Sequence, residues 1–421
     1  MLRKSVQTQP TGSAVKTRPQ LRLLFSRLLL VLGGIVIALV IAELCLRLSG
    51  FTYFNPYIVD ADVGYSLRPG AEGWWQKEGH TYIKINSHGF RDLEHTIEKP
   101  TGTFRIAILG DSFAEAFQVP LEKTFWSEME PKLQHCPQLA KQKVEILNFG
   151  VSTFSTAREL ILLQKRVWQY SPDLIVLLIT TGNDVRDNSV TLNKYAGMPL
   201  PYFVFRDGKL ILDDSLLAAR NRSLMFRLRQ SFVGNSLAKL QNNLRILGLI
   251  YAIREAHQSS SQTPNRQRLQ ANIAGRLEPV EDNEVFDDLD SAEWNDAWRV
   301  TEGLILKMRD EVHAKGAKFL VVTGSMGIQV YSGATRRREY MERIGISSLF
   351  TPDYRIKALG EREGFRVLNL APVLQDYADR NTAFLHGAGD TKGFGHWNEL
   401  GHQLAGELIA QEVCTGSLEE K

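Results

Sequence analysis

Four short blocks carry residue types suited to acyl transfer: Gly110-Asp111-Ser112, Asn148-Phe149-Gly150, Thr181-Gly182-Asn183-Asp184 and Gly395-His396-Trp397-Asn398. Ester cleavage through serine needs a nucleophile, a base to take its proton, and donors for the oxyanion. Ser112 follows the apolar run Ile106–Leu109 and precedes a helix-compatible segment. Its hydroxyl therefore falls at the carboxyl end of a buried strand, where open α/β sheets keep reactive groups. The same position also suits a helix N-cap serine. Among nine histidines, His396 is the candidate base. Gly150 lets a backbone N–H approach a bound carbonyl, and also reads as a turn glycine. Asn183 offers a side-chain amide, and also reads as a turn asparagine.

In this order the blocks resemble the SGNH (GDSL-type) hydrolase superfamily. The match runs from Gly110 to Gly401, where His396, Asn398 and Gly401 follow the histidine pattern of that family. The resemblance implies that Ser112 is the nucleophile and His396 the base. It also implies that the Ser112 N–H, Gly150 and Asn183 form the oxyanion hole. The segment Asn86-Ser87-His88-Gly89-Phe90-Arg91 is similar to one that precedes the serine block in related families, with a structural role expected. One feature departs from the pattern. The aspartate expected two or three residues before the histidine is replaced by Gly393 and Phe394. Asp390, six residues upstream, is one candidate acid; the competing arrangement is a Ser–His dyad oriented by a backbone carbonyl. Asp111 is expected to be a structural hydrogen-bonding residue. The resemblance implies a serine esterase or acyltransferase acting on an ester, such as O-acetyl groups of an envelope or secreted polysaccharide. A non-catalytic polysaccharide-binding or assembly protein with the same fold is the rival expectation.

The elements that must position these residues are legible as apolar runs alternating with helical patterns. The runs Arg105–Leu109, Val144–Phe149, Leu174–Ile179, Lys318–Thr323 and Arg366–Leu370 are mostly apolar rather than alternating, as expected for a parallel sheet covered on both faces. A helix is expected after Thr156-x-x-Glu159, read as a capping box, and another from Asp296 to Ala314. Together they predict a three-layer α/β/α, doubly wound, flavodoxin-like domain over 101–416. Residues 51–100 form a lead-in with a strand from His80 to Asn86. An insertion over 189–292, after the third strand, holds a hairpin turning at Asp207-Gly208, a basic amphipathic stretch from Leu224 to Arg254, and a polar loop from His257 to Asn283. A lid, a substrate platform, decoration and a lipid contact all fit it.

The 421 residues, 43% hydrophobic and 23% charged, describe a globular chain with a proper core, and a net charge of +3 gives no sign of a nucleic-acid partner. The basic excess is local. Residues 1–27 carry six lysines and arginines and no acid, ahead of an apolar run from Leu24 to Ala42. We expect a cytoplasmic tail over 1–23, a membrane helix over 24–44, and everything from about residue 50 outside the cytoplasm, at a bacterial inner membrane. A cleaved signal is the alternative, but no Ala-x-Ala-like site follows. Cys136 and Cys414 are the cysteines outside the anchor. They are expected to form one disulfide across helices on a shared face, the alternative being two thiols. Thr323-Gly324-Ser325-Met326-Gly327 nearly imitates a nucleophile elbow, yet it lacks one residue and no second histidine block is evident, so it reads as a loop. No phosphate loop or metal pattern is present, and neither cofactor nor metal is expected.

Overall fold

The computed structural model describes residues 18–193, 198–261, 284–286 and 291–417. The chain divides into two compact units, Met1–Tyr53 with Lys239–Glu255, and Phe54–Ala238 with Ala256–Lys421. In the first, helix α1 (Arg18–Leu48) contains the 26 residues Leu23–Leu48, whose most apolar 18-residue window has mean hydropathy 2.8, long and apolar enough to cross a membrane.

The second unit opens with two hairpins. Strands β1 (Tyr57–Asp60) and β2 (Gly64–Leu67) pair antiparallel, as do β3 (Glu72–Trp75) and β4 (Thr81–Lys84). The strand expected from His80 onward is β4, and it pairs with β3 in a sheet of its own.

Next come the strands of the main sheet: β5 (Thr103–Leu109), β6 (Lys143–Asn148) and β7 (Leu174–Ile179). The hairpin β8 (Tyr202–Arg206) and β9 (Lys209–Asp213) intervenes, and β10 (Lys318–Thr323) and β11 (Arg366–Asn369) complete the five. Their order is β11-β10-β7-β5-β6, parallel throughout. Every residue of β7 is buried, which is why its sequence shows no polar alternation. The chain steps outward from β5 to β6, then crosses to the other side of β5 for β7. This reversal opens a crevice at the carboxyl ends of β5 and β7, the switch point where doubly wound sheets place ligands.

Helices cover both faces. After α2 (Ser112–Glu115) come α3 (Phe125–Gln134), α4 (Thr156–Lys165) and α5 (Thr181–Asn188). The insertion adds α6 (Ser215–Arg222), α7 (Leu224–Gln230), α8 (Phe232–Asn243) and α9 (Arg245–Ser261). The last five are α10 (Ala292–Ala314), α11 (Ala334–Ile344), α12 (Thr351–Glu363), α13 (Leu370–Asn381) and α14 (Glu399–Glu412). Residues of α4, α10 and α12 share one core cluster, and residues of α3, α13 and α14 the other. The architecture is three-layer α/β/α, as the apolar runs predict.

Three local readings need correction or qualification. The capping box does not form: Ser155 holds the N-cap position of α4, and Thr156, one residue inside, turns its hydroxyl to Asp184 Oδ1 at 3.4 Å. The stretch Leu224–Arg254 is three helices, with breaks at Ser231 and Leu244. Of the expected polar loop, His257–Ser261 end α9, and 262–283 lie outside the described residues.

Cys136, just past α3, and Cys414, just past α14, are joined in a disulfide with Cα atoms 5.7 Å apart and a sequence separation of 278. A cross-link over so long a loop removes much freedom from the unfolded chain. We expect Cys136→Ser to lower stability by about 2–5 kcal/mol, read as a drop in the denaturant midpoint that adding reductant to the parent chain reproduces. Equal midpoints for parent and variant under oxidising conditions would contradict this.

Candidate active site

Ser112 is placed by the end of β5. Asp111 caps α2, its Oδ1 accepting from the Phe113 N–H at 3.0 Å. The turn is braced from beneath by the lead-in. Buried Arg91 donates to the carbonyl oxygens of Glu115 and Val119, and the Asn148 amide donates to those of Arg91 and Ala114 at 3.1 and 3.0 Å. Asn86 ties its own segment together, accepting from the His88 and Phe90 N–H groups at 3.1 and 2.9 Å. The Asn86–Arg91 segment thus fixes the serine loop.

His396 reaches Ser112 from the other end of the chain. Its Nε2 lies 2.8 Å from Ser112 Oγ. Its Nδ1 lies 2.5 Å from Glu78 Oε2, and its backbone N–H donates to Glu78 Oε1 at 2.8 Å. A carboxylate only accepts, so Nδ1 carries the proton and Nε2 is left free to accept from the serine hydroxyl. Serine, imidazole and carboxylate form one chain of hydrogen bonds.

The orienting acid is therefore Glu78, in the turn between β3 and β4, a residue the sequence reading did not single out. It fills the place expected for Asp390, whose side chain lies outside the described residues. No backbone carbonyl is needed at Nδ1. Two glycines make the contact possible. Gly395 has φ +74°, and a Cβ there would strike the Glu78 carboxylate; Gly79 has φ +77°, and a Cβ there would stand 2.6 Å from the Gln118 carbonyl oxygen. Both positions demand positive φ and empty space at once.

Charge is distributed to match. Burial pushes the Glu78 carboxyl up, but the His396 hydrogen bonds and charge outweigh it and hold Glu78 below its usual range. Burial pulls the His396 imidazole down, and the bond and charge of Glu78, helped by Asp111 and Glu115, carry it above its ordinary value. Nearby buried carboxyls move the opposite way. Burial lifts Asp111, and lifts Glu115 to about 7 despite bonds from the Ser152 N–H and Tyr57; Asp184 is raised by burial and by the charges of Asp111 and Asp187, and Glu159 by burial and by the charges of Asp184 and Asp111. Glu78 is thus the carboxylate that stays ionised against the imidazole.

Asn183 and Gly150 flank the serine. The Asn183 amide donates one hydrogen to Asp111 Oδ2 at 3.2 Å, so Asp111 orients it. Gly150 donates its N–H to Asn148 Oδ1 at 3.1 Å, and a Cβ on it would come within 2.7 Å of the Glu115 nitrogen. Its lack of a side chain is first a packing requirement against α2.

A second serine–histidine pair lies behind the first. Ser325 Oγ is 2.9 Å from His386 Nε2, Trp397 Nε1 donates to Ser325 Oγ at 2.8 Å, and His386 Nδ1 is 2.7 Å from the Gly395 carbonyl oxygen. The sequence reading found no histidine for Ser325, and His386 is that histidine. Both are 1% exposed or less, and burial lowers His386 to about 4, so it is neutral and out of reach of substrate. The group steadies the His396 loop. Asn398 completes that support by capping α14, accepting from the Gly401 N–H at 3.0 Å.

A cleft of about 720 Å³ opens on the Glu78–His396 side, lined among others by Thr81, Gln118, Lys392, Trp397 and Leu400. Among the described residues no cluster of histidine, cysteine or acidic side chains suits a metal ion.

No family model matches the chain. No curated protein matches it either. Solved structures similar to it include the acetyl xylan esterase AlAXEase, at 11% identity over 74% of this chain and 100% of that one, with a TM-score of 0.36. A catalytic mutant of an acetylxylan esterase from Geobacillus stearothermophilus is 10% identical over 76% and 97%, TM-score 0.35. A GDSL-like lipase from Bacteroides thetaiotaomicron VPI-5482 is 12% identical over 73% and 87%, TM-score 0.30. What the present site can do follows from its own side chains.

The Glu78 contact generates a pH signature. Catalysis through His396 requires the neutral imidazole, and Glu78 raises the pH at which it loses its proton. Glu78→Gln should lower kcat by up to about 10⁴-fold, as loss of an orienting carboxylate does in serine proteases. The acid limb of the rate profile should also move to lower pH, because the imidazolium loses its stabilising charge. A pH–rate series on p-nitrophenyl acetate measures both. An unchanged limb with an unchanged plateau would remove Glu78 from the mechanism.

Proposed function

We propose that this chain is a membrane-tethered serine ester hydrolase of the SGNH type. The observation that carries the reading is the unbroken series Ser112 Oγ, His396 and Glu78, with separations of 2.8 and 2.5 Å. Ser112 Oγ attacks the ester carbonyl carbon while its proton passes to His396 Nε2. The Asn183 amide and the Ser112 and Gly150 N–H groups receive the developing oxyanion. Gly150 does so by releasing Asn148. The tetrahedral adduct collapses, the C–O bond to the leaving alcohol breaks, and Nε2 returns the proton to that oxygen. Water, deprotonated by the same nitrogen, then attacks the acyl-serine and releases the acid. A sugar hydroxyl in place of water would complete a transfer instead.

The substrate class comes from the resemblance to SGNH proteins with a membrane anchor. It is an O-acyl group on an envelope or secreted polysaccharide. The rival reading, a non-catalytic polysaccharide-binding or assembly protein, rests on the missing aspartate, and the Glu78 contact to His396 Nδ1 favours the hydrolase over it.

Ser112 and His396 are expected to act as a unit. Ser112→Ala, His396→Ala and the double variant should each lose nearly the same activity, because members of one catalytic series are strongly non-additive. Assays on p-nitrophenyl acetate and on an acetylated polysaccharide decide this, and mild, independent losses would refute the assignment.

The catalytic unit is placed outside the cytoplasm on the strength of the acid-free basic flank before α1. Alkaline phosphatase joined after residue 60 or after Lys421 should be active. Inactive fusions at both points, with an active cytoplasmic reporter there, would reverse the topology.

A further inference from the structure

The insertion contains a second acid-free basic segment. From Leu224 to Arg254 the chain carries Arg227, Arg229, Lys239, Arg245 and Arg254 and no aspartate or glutamate. It also leaves large apolar side chains in the open. Phe232 is 85% exposed, Leu224 66%, Val233 64% and Ile253 60%. Soluble surfaces seldom gather such residues in one stretch without a partner.

Within the membrane-helix unit, the geometry indicates what that partner is. Glu43 is the first charge after the apolar run of α1, so it falls where the helix leaves the hydrocarbon. Its two carboxylate oxygens accept from the Arg245 and Ile246 N–H groups, each at 3.1 Å. Those are the first two residues of α9, where a carboxylate satisfies orphan donors and the helix dipole together. Arg47 pairs with Glu43 at 2.8 Å and donates to the Asn243 carbonyl oxygen at 2.7 Å. Gly248, one turn on, comes so close to Tyr53 that a Cβ would stand 3.0 Å from the tyrosine Cβ. The start of α9 is thus fastened to the exit turn of the membrane helix. From there α9 presents Ile250 and Ile253 at helical spacing, both exposed, with Arg254 beside them.

We infer that Leu224–Arg254 lies in the bilayer interface, with its apolar side chains among the upper acyl chains and its basic residues at anionic phospholipid headgroups. The inference rests on α1 spanning the membrane. Its logic is that of amphipathic interfacial helices: the buried apolar area supplies attachment, and the positive charge selects anionic lipid. A lid held over the active site is the other occupant this stretch admits, and the test separates the two.

The full chain with Cys45→Ser keeps its disulfide and frees the background for single labels. A polarity-sensitive fluorophore is attached at Phe232→Cys, at Ile253→Cys and, as control, at exposed Glu361→Cys in α12. Each variant is reconstituted in phosphatidylcholine vesicles with and without phosphatidylglycerol, with a nitroxide near the headgroup end of the acyl chain. Blue-shifted emission and quenching several-fold above the control at 232 and 253, stronger with phosphatidylglycerol, is the expected result. Quenching no greater than at 361 overturns the inference. So does a phosphatidylglycerol dependence that Arg227→Gln with Arg229→Gln leaves untouched. A carbonate wash reports separately on α1, since release of the chain would mean that the spanning reading has failed rather than the interfacial one. Matching thermal unfolding midpoints confirm that the labelled chains are folded.

Discussion

The contact on which the site depends is the carboxylate of Glu78 against the Nδ1–H of His396. It joins residues 318 apart in sequence, and both oxygens are used, one on the imidazole and one on the histidine's own N–H. Imidazole and backbone are therefore gripped together, which fixes ring orientation as well as tautomer. The two glycines beside it pin the geometry from both sides. Neither partner belongs to the five-stranded sheet. Glu78 rides on a hairpin of the lead-in, and His396 on the loop before the last helix. What the sheet supplies is Ser112 at its switch point, and the site is complete only when the segments before and after it fold back onto that point.

This division explains the amount of buried polar structure around the serine. Arg91 and Asn148 spend their hydrogen bonds on backbone carbonyls of the serine loop, and Ser325, His386 and Trp397 spend theirs on the histidine loop. Each is a satisfied internal network, and such networks hold loops to a single arrangement more firmly than apolar packing does. The ionisation pattern follows from the same burial. Burial raises the carboxyls of Asp111, Glu115, Glu159 and Asp184, whereas the hydrogen bonds and charge of His396 hold Glu78 below its ordinary range.

The parts of this arrangement differ in how far the sequence reveals them, and the differences have physical causes. Parallel strands covered on both faces are mostly apolar, so β5, β6, β7, β10 and β11 are legible as runs within a residue or two. Ser112 is legible because it follows such a strand, and His396 because of its spacing to Asn398 and Gly401. Glu78 carries no local mark. An acid in a hairpin turn is ordinary in a sequence, and its importance comes from a fold-level approach between two glycines. His386 escapes notice for the same reason, since its meaning depends on Ser325 and Gly395 in space. Thr156 misleads in the opposite sense: its spacing to Glu159 imitates a capping box, but burial of Glu159 and the pull of Asp184 give the helix a different start.

The lead-in shows why position in the chain is a poor guide to role. As sequence, residues 51–100 read as a lead-in that packs on the domain after it. As structure, they brace the Ser112 loop through Arg91 and orient the His396 imidazole through Glu78, at the two ends of one hydrogen-bonded series. A spacer tolerates changes in length, because the cost of a flexible loop grows only slowly with its size. A segment that delivers a carboxylate to within 2.5 Å of an imidazole does not, because orientation within a fraction of an ångström is what the carboxylate contributes. The stretch between membrane helix and sheet is thus bound to the chemistry as tightly as the sheet itself.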